Sequence, residues 1–182
     1  MTRPQDVLDF WLAPTTRKRW FDKDTVFDAE IRQRFENAYD DAAAGRLDGW
    51  MQDRDGALAL VILLDQMPRN MFRDTPKAFA TDPKAREITK HALARGFDLE
   101  LENEDHRMLF YLPLEHSEEM ADQDQCVALV MERASGSEFP DYAKAHRDVI
   151  ARFGRFPHRN VILGRPDTAE AEDYLKDPNA GF

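Results

Sequence analysis

Along most of the chain, apolar side chains recur at every third or fourth position, a spacing that predicts helices. With Thr2 as N-cap and Arg3-Pro4 in the opening turn, Val7, Leu8 and Trp11 fall on one inward face. Trp20 and Phe21 lie in the connection that follows. From Asp24 as N-cap, Phe27, Ile31, Phe35, Ala38, Tyr39 and Ala42 keep the helical period until Gly45 ends it. The stretch from Asp53 to Gln66 is apolar nearly all round, through Leu58, Leu60, Val61, Ile62, Leu63 and Leu64, as in a buried central helix. Pro68 is expected to interrupt it.

Thr75-Pro76 and Thr81-Asp82-Pro83 each pair a cap with an early proline. The second starts a helix through Ala85, Ile88, Ala92 and Leu93 that Gly96 stops. The acid run from Glu100 to Asp105 reads as a solvated loop, and Asn103 to Leu112 as a short helix carrying Met108, Leu109 and Phe110. Pro113 predicts a kink or a fresh start, after which Met120, Cys126, Val127, Val130 and Met131 line a face ending at Gly136. Pro140 opens a helix with Tyr142, His146, Val149, Ile150 and Phe153 on one stripe, closed by Gly154. Thr168 caps a last helix reaching Leu175, and the Gly181-Phe182 tail is expected to fray. Strand signals are scarce. The expected fold is therefore all-α, a stack of antiparallel helical hairpins forming one domain over residues 1–182. The tetratricopeptide signature, with its period of about 34 residues, is not written in the chain.

Composition fits that picture. The chain has 182 residues, 42% of them hydrophobic and 33% charged. A domain of this size buries about 70% of its unfolded surface. The longest apolar run, Ala57 to Leu64, is shorter than the ~18 residues of a membrane span. No signal-peptide core follows Met1, and the lone Cys126 has no internal disulfide partner. These features predict a soluble, cytoplasmic protein without a membrane partner. The net charge of −10 opposes a nucleic-acid partner through phosphate repulsion. Yet the cations are 18 Arg against 7 Lys, and Arg147, Arg152, Arg155, Arg159 and Arg165 cluster together. The planar guanidinium fork suits carboxylate or phosphate, so either a local anion site or pairing with the chain's own acids is in view.

Three dense polar phrases adjoin apolar helices. In the first, Asp65, Gln66, Arg69 and Asn70 share one helical face, with Asp65 and Arg69 at ion-pair spacing. They either satisfy the end of a buried helix or present Arg69 and Asn70 to an anionic or carbonyl-bearing ligand. In the second, a helix starting near Pro113 would place Glu115, Glu118 and Asp122 on one face, where the helix dipole favours acids. Burial would instead bring Glu115 or His116 toward neutrality and make either an acid or base. Glu115, His116, Glu118 and the distant His158 form no recognised metal motif, so neither a metal nor a cofactor is expected. In the third, Gly154 permits a left-handed cap and Pro157 begins a new turn. Its N–H groups with Arg155, His158 and Arg159 would offer an anion surface, or else these cations pair with Glu115, Glu118 or Asp65. His146 and Cys126 read as core residues. No nucleophile elbow, P-loop or dinucleotide glycine pattern is present.

Together the segments Asp65 to Arg73, Leu112 to Glu118 and Arg152 to Asn160 resemble the signature phrases of bacterial domain-of-unknown-function family 924. Val7-Leu8-Asp9-Phe10-Trp11 and Ile162-Leu163-Gly164-Arg165 fit as well, so the resemblance spans nearly the whole chain; Met67 stands where the family pattern has phenylalanine. The resemblance implies an all-helical, tetratricopeptide-like fold and no activity. The first functional reading is a protein binding a small anionic molecule or carboxylate-bearing peptide at Asp65, Arg69, Asn70, Glu118, Arg155, His158, Arg159 and Asn160. The alternatives are a metal-independent hydrolase or isomerase using Glu115 or His116, and a purely structural polar centre. The oligomeric state is not indicated.

Overall fold

The computed structural model describes residues 2–20, 22–136, 138–177 and 180; Phe21 and the Gly181-Phe182 tail lie outside them. The described residues form helices and turns, with no strand. In order, the helices are α1 (Pro4–Trp11), α2 (Pro14–Arg17), α3 (Thr25–Ala43), α4 (Arg54–Val61), α5 (Met67–Met71), α6 (Asp82–Arg95), α7 (Glu104–Glu115), α8 (Met120–Arg133), α9 (Phe139–Phe153) and α10 (Ala169–Tyr174). The local signals explain most boundaries. Asp24 accepts from the N–H groups of Val26 and Phe27, and Thr168 accepts from Ala171. Gly96 and Gly154 end α6 and α9 with φ of 73° and 67°, a left-handed conformation that costs other residues a steric clash. The first helix starts one residue later than expected: Arg3 takes the N-cap position, and Asp6 accepts its N–H at 2.8 Å.

Helix α4 is the hub, buried from Gly56 to Val61, with α1, α6 and α7 packed against it. Gly56 is required there, because a Cβ would meet the Trp50 carbonyl oxygen at 2.1 Å. Beyond α6, each helix packs on the next, α6 on α7, α7 on α8 and α8 on α9. One large apolar cluster spans α1 to α8 and reaches Ala143 of α9. A smaller one joins Val149, Ile150 and Phe156, with Met120, Phe153 and Tyr174 against it. The first two polar phrases adjoin the large cluster, through Leu64, Met67, Leu112 and Leu114, and the third adjoins the small one through Phe156.

Both internal prolines depart from expectation. Pro68 does not interrupt the hub. It has no N–H to donate, and its ring would clash with the Leu64 carbonyl in an α-helix. The backbone instead widens into a π turn over Ile62–Gln66, in which the Met67 N–H reaches back to Ile62 O. The Leu64 carbonyl accepts from the Thr81 hydroxyl at 2.6 Å. Helix α5 then continues in line. Pro113 likewise sits inside α7, which runs on to Glu115 before the chain turns into α8. Glu115 thus ends a helix instead of opening one, and the dipole there opposes a carboxylate. Glu118 lies in the α7–α8 turn, while Asp122 alone of the three acids occupies a first helical turn.

Thr81→Val keeps the shape of the side chain but leaves the buried Leu64 carbonyl without a donor. Urea denaturation should show a loss of about 1–3 kcal/mol. Thr81→Ser should retain most of the wild-type midpoint, and a valine variant as stable as wild type would contradict this role.

Candidate functional site

The π turn puts Asp65 inside the protein, with no exposed surface. Both carboxylate oxygens face Nδ1 of His116, at 2.9 and 3.0 Å, from the turn after α7. The Gln66 amide donates to Oδ2 at 2.5 Å, and Arg69 approaches Oδ1 at 3.5 Å. Arg69 is bound more closely elsewhere. Its two terminal nitrogens each donate to one oxygen of Asp82 at 3.0 Å, a bidentate pair, and one also donates to the Asp65 carbonyl. These bonds join the hub, the start of α6 and the end of α7.

Arg159 enters from the turn Pro157–Arg159. Its guanidinium lies over the rings of Phe79 and Phe156, 4.7 and 4.4 Å from their centroids. Nη1 donates to the His116 carbonyl at 3.1 Å, while the nearest Asp82 oxygen is 3.7 Å away. Its buried Nε has no acceptor among the described residues. His146 comes from α9. Its Nδ1 donates to Tyr142 O at 2.8 Å, with Glu115 Oε1 at 3.6 Å and the ring edge-on to Phe156. The centre is not sealed from solvent: the side chains of Arg69, His116 and Asp82 keep 21%, 16% and 13% of their surface.

Electrostatics separates these groups sharply. Burial would raise the Asp65 carboxyl, but Arg69, His116 and Gln66 together overcome it and hold the group well below the usual range. Burial pushes Glu115 from 4.5 up to about 8, with the nearby Asp65 charge adding to the effect. Burial lowers His116 despite Asp65, lowers His146 to about 3, and with help from Arg159 lowers His158 to about 4. Arg159 falls to about 10, chiefly through burial and then through Arg69. At neutral pH the centre therefore holds a charged Asp65, a protonated Glu115 and uncharged histidines. Strong shifts of this kind concentrate at functional sites.

Of the residues singled out in sequence, the structure brings together Asp65, Arg69, Glu115, His116, His158 and Arg159. It turns others elsewhere. The Asn70 amide donates to Asp28, which also binds Arg73, and the Asn160 amide donates to Asp167. Glu118 accepts from the Phe156 N–H at 2.9 Å and from both terminal nitrogens of Arg165, so the chain's own carboxylate takes that anion position. Arg147 and Arg152 pair on the surface with Asp124 and Glu170. Arg155, half-buried, has no ion pair among the described residues. Among those residues no three His, Cys, Asp or Glu side chains converge as a metal-ligand set, and no helix is long and apolar enough to cross a membrane. Sequence reasoning missed Asp82 and His146 as members of the centre, and only the acid in the first turn of α6 and the histidine on an apolar stripe hinted at them.

The shifts make stability depend on pH with two opposite slopes. Glu115 is protonated in the folded chain but ionises near 4.5 when unfolded, so its contribution is full below 4.5 and is lost as pH rises through about 8. The depressed histidines contribute above their ordinary 6.5, and that part is lost as pH falls through about 4 and 3. Glu115→Gln, which keeps a neutral side chain beside Asp65, His146 and Cys126, should abolish the alkaline loss. The histidine contribution is common to both proteins, so the stability of wild type relative to the variant, read from urea denaturation, should fall by at most roughly 3 kcal/mol between pH 5.5 and 8.5. Parallel profiles would contradict a protonated Glu115.

Comparison with known proteins matches this architecture. A solved structure of a protein of unknown function from Agrobacterium tumefaciens is similar at a TM-score of 0.89 and 44% sequence identity, over 96% of this chain and 97% of that one. No curated protein matches the chain. The family model described as bacterial protein of unknown function (DUF924) matches residues 7–179. An all-helical chain with its polar phrases gathered at one centre, matched along nearly its full length, thus belongs to the DUF924 family.

Proposed function

We propose that this protein binds a small carboxylate or phosphate anion at the solvent edge of the polar centre, through Arg159 and His158. The observation that carries the reading is the state of Arg159. Its side chain is 8% exposed, clasped by two aromatic rings, and short of a close anionic partner because Asp82 is committed to Arg69. An enclosed cation is costly unless an anion compensates it, and its buried Nε–H has no acceptor among the described residues. His158 lies in the same turn, and Arg69 adds positive potential beside it. Asp65 and Asp82 hold the cations in place on this reading.

A structural role is the better reading for the surrounding shell. Asn70, Asn160, Glu118 and Arg165 each have partners within the chain. Substituting them should lower stability without changing any affinity.

Calorimetric titration with inorganic phosphate and a series of mono- and dicarboxylates tests the proposal. Wild type should bind at least one of these, and Arg159→Gln should weaken it about 10- to 100-fold, the range of a lost charge-assisted bond. Arg159→Lys should keep part of the affinity, and melting curves check that both variants fold. No binding by folded wild type, or equal affinity in Arg159→Gln, would refute the assignment.

A further inference from the structure

We propose that His116 is a general base that activates water to hydrolyse an ester whose acyl group lies against Arg159. This rests on the anion-binding reading above and adds a reaction to it. The first support is orientation. Asp65 takes the Nδ1 proton of His116 on both of its oxygens, which fixes the tautomer and leaves Nε2 as the basic nitrogen. The second is access. The His116 side chain keeps 16% of its surface while Asp65 on its Nδ1 side keeps none, and Nε2 makes no hydrogen bond among the described residues. The third is the neighbouring guanidinium. Arg159 donates to the main-chain carbonyl of His116 itself, which places a cation beside the base where an oxyanion would form. A donor suited to a carboxylate also suits the oxyanion that precedes it, so the bound anion and the reaction product belong to one class.

The step balances with water as the only co-reactant. Nε2 takes a proton from water while the water oxygen bonds to the acyl carbon, and the carbonyl π pair moves onto the carbonyl oxygen beside Arg159. That pair then re-forms the double bond as the bond to the alcohol oxygen breaks, and the leaving oxygen takes the proton back from Nε2. One ester and one water yield one carboxylic acid, which ionises, and one alcohol. The transient imidazolium is stabilised by Asp65, a positioning residue. The other titratable and charged groups facing His116 are Arg69, Glu115, His146, His158 and Arg159. Glu115 is turned inward, 4% exposed, toward His146 and Cys126. The centre thus offers one oriented base at its edge, which suits hydrolysis, where the same group returns its proton, better than an isomerisation relayed between two groups.

The test uses the intact protein with two probes, diethyl pyrocarbonate and p-nitrophenyl acetate, and with phosphate titrated into the same samples. In wild type, mass spectrometry should find His116 carbethoxylated faster than His106, and phosphate should slow that reaction. Ester turnover should be present and should fall about 100-fold or more in His116→Gln, the scale of a lost general base. Phosphate affinity in that variant should stay within about threefold of wild type. Asp65→Asn should slow both reactions about tenfold or more and shift the pH profile of turnover, an effect that a merely structural role would not produce. An unmodified His116 beside a modified His106 in wild type overturns the proposal without any variant. So does phosphate binding with turnover unchanged in His116→Gln, which would leave the anion-binding reading intact. Loss of turnover in His116→Gln without phosphate binding would instead uphold the base and remove that reading.

Discussion

Burying an ionised carboxylate costs several kcal/mol unless its surroundings compensate, and Asp65 is such a carboxylate with no exposed surface. The rest of the centre is the form that compensation takes. His116 and Gln66 saturate the oxygens, Arg69 supplies opposite charge, and Asp82 and the Asp65 carbonyl hold Arg69 in turn. Gln66 and Arg69 share the stretch of chain that carries Asp65, whereas Asp82 and His116 come from α6 and the α7–α8 turn, so satisfying one buried charge also fixes how the hub, α6 and that turn meet. The π turn that accommodates Pro68 is what places Asp65 and Gln66 in line with these partners. Removing one partner would leave a charge uncompensated, which is far more costly than the pair is stabilising.

The position of the centre follows from the same constraint. It adjoins both the large apolar cluster and the small one around Phe156. Burial keeps Glu115 and His146 neutral there, and the charge of Asp65 adds to the effect on Glu115. The C-terminal end of α7 adds its own penalty to a Glu115 anion. Arg159 is the exception, a cation carried inward on aromatic faces whose nearest carboxylate, Asp82 at 3.7 Å, is bound more closely by Arg69. That imbalance separates the solvent edge, where a ligand is proposed, from the shell, where the polar groups satisfy one another.

Much of the fold was legible because its signals are local. Asp24, Gly96, Gly154 and Thr168 act within one turn of their own helices, and the all-round apolar pattern of the hub admits no exposed face. The prolines were misread because their outcome is decided at a distance. Nothing near Pro68 in sequence reveals that the Thr81 hydroxyl will serve the Leu64 carbonyl, and nothing near Pro113 reveals that α7 will run through it. The site was legible as three polar phrases but not as pairs. Asn70 and Asn160 looked like Arg69 and Arg159 in sequence, yet Asp28 and Asp167 claim them. Asp82, which organises both arginines, read only as the start of a helix.

The central claim is that Asp65 is ionised and holds His116 in a single neutral tautomer with Nε2 unprotonated. Nitrogen NMR of histidine-labelled protein near neutral pH reads this directly. One His116 form is expected, protonated at Nδ1 alone, that persists with falling pH below the range of an ordinary imidazole and turns into a tautomer mixture in Asp65→Asn. A His116 protonated at Nε2, or one titrating like a free imidazole in both proteins, would contradict it.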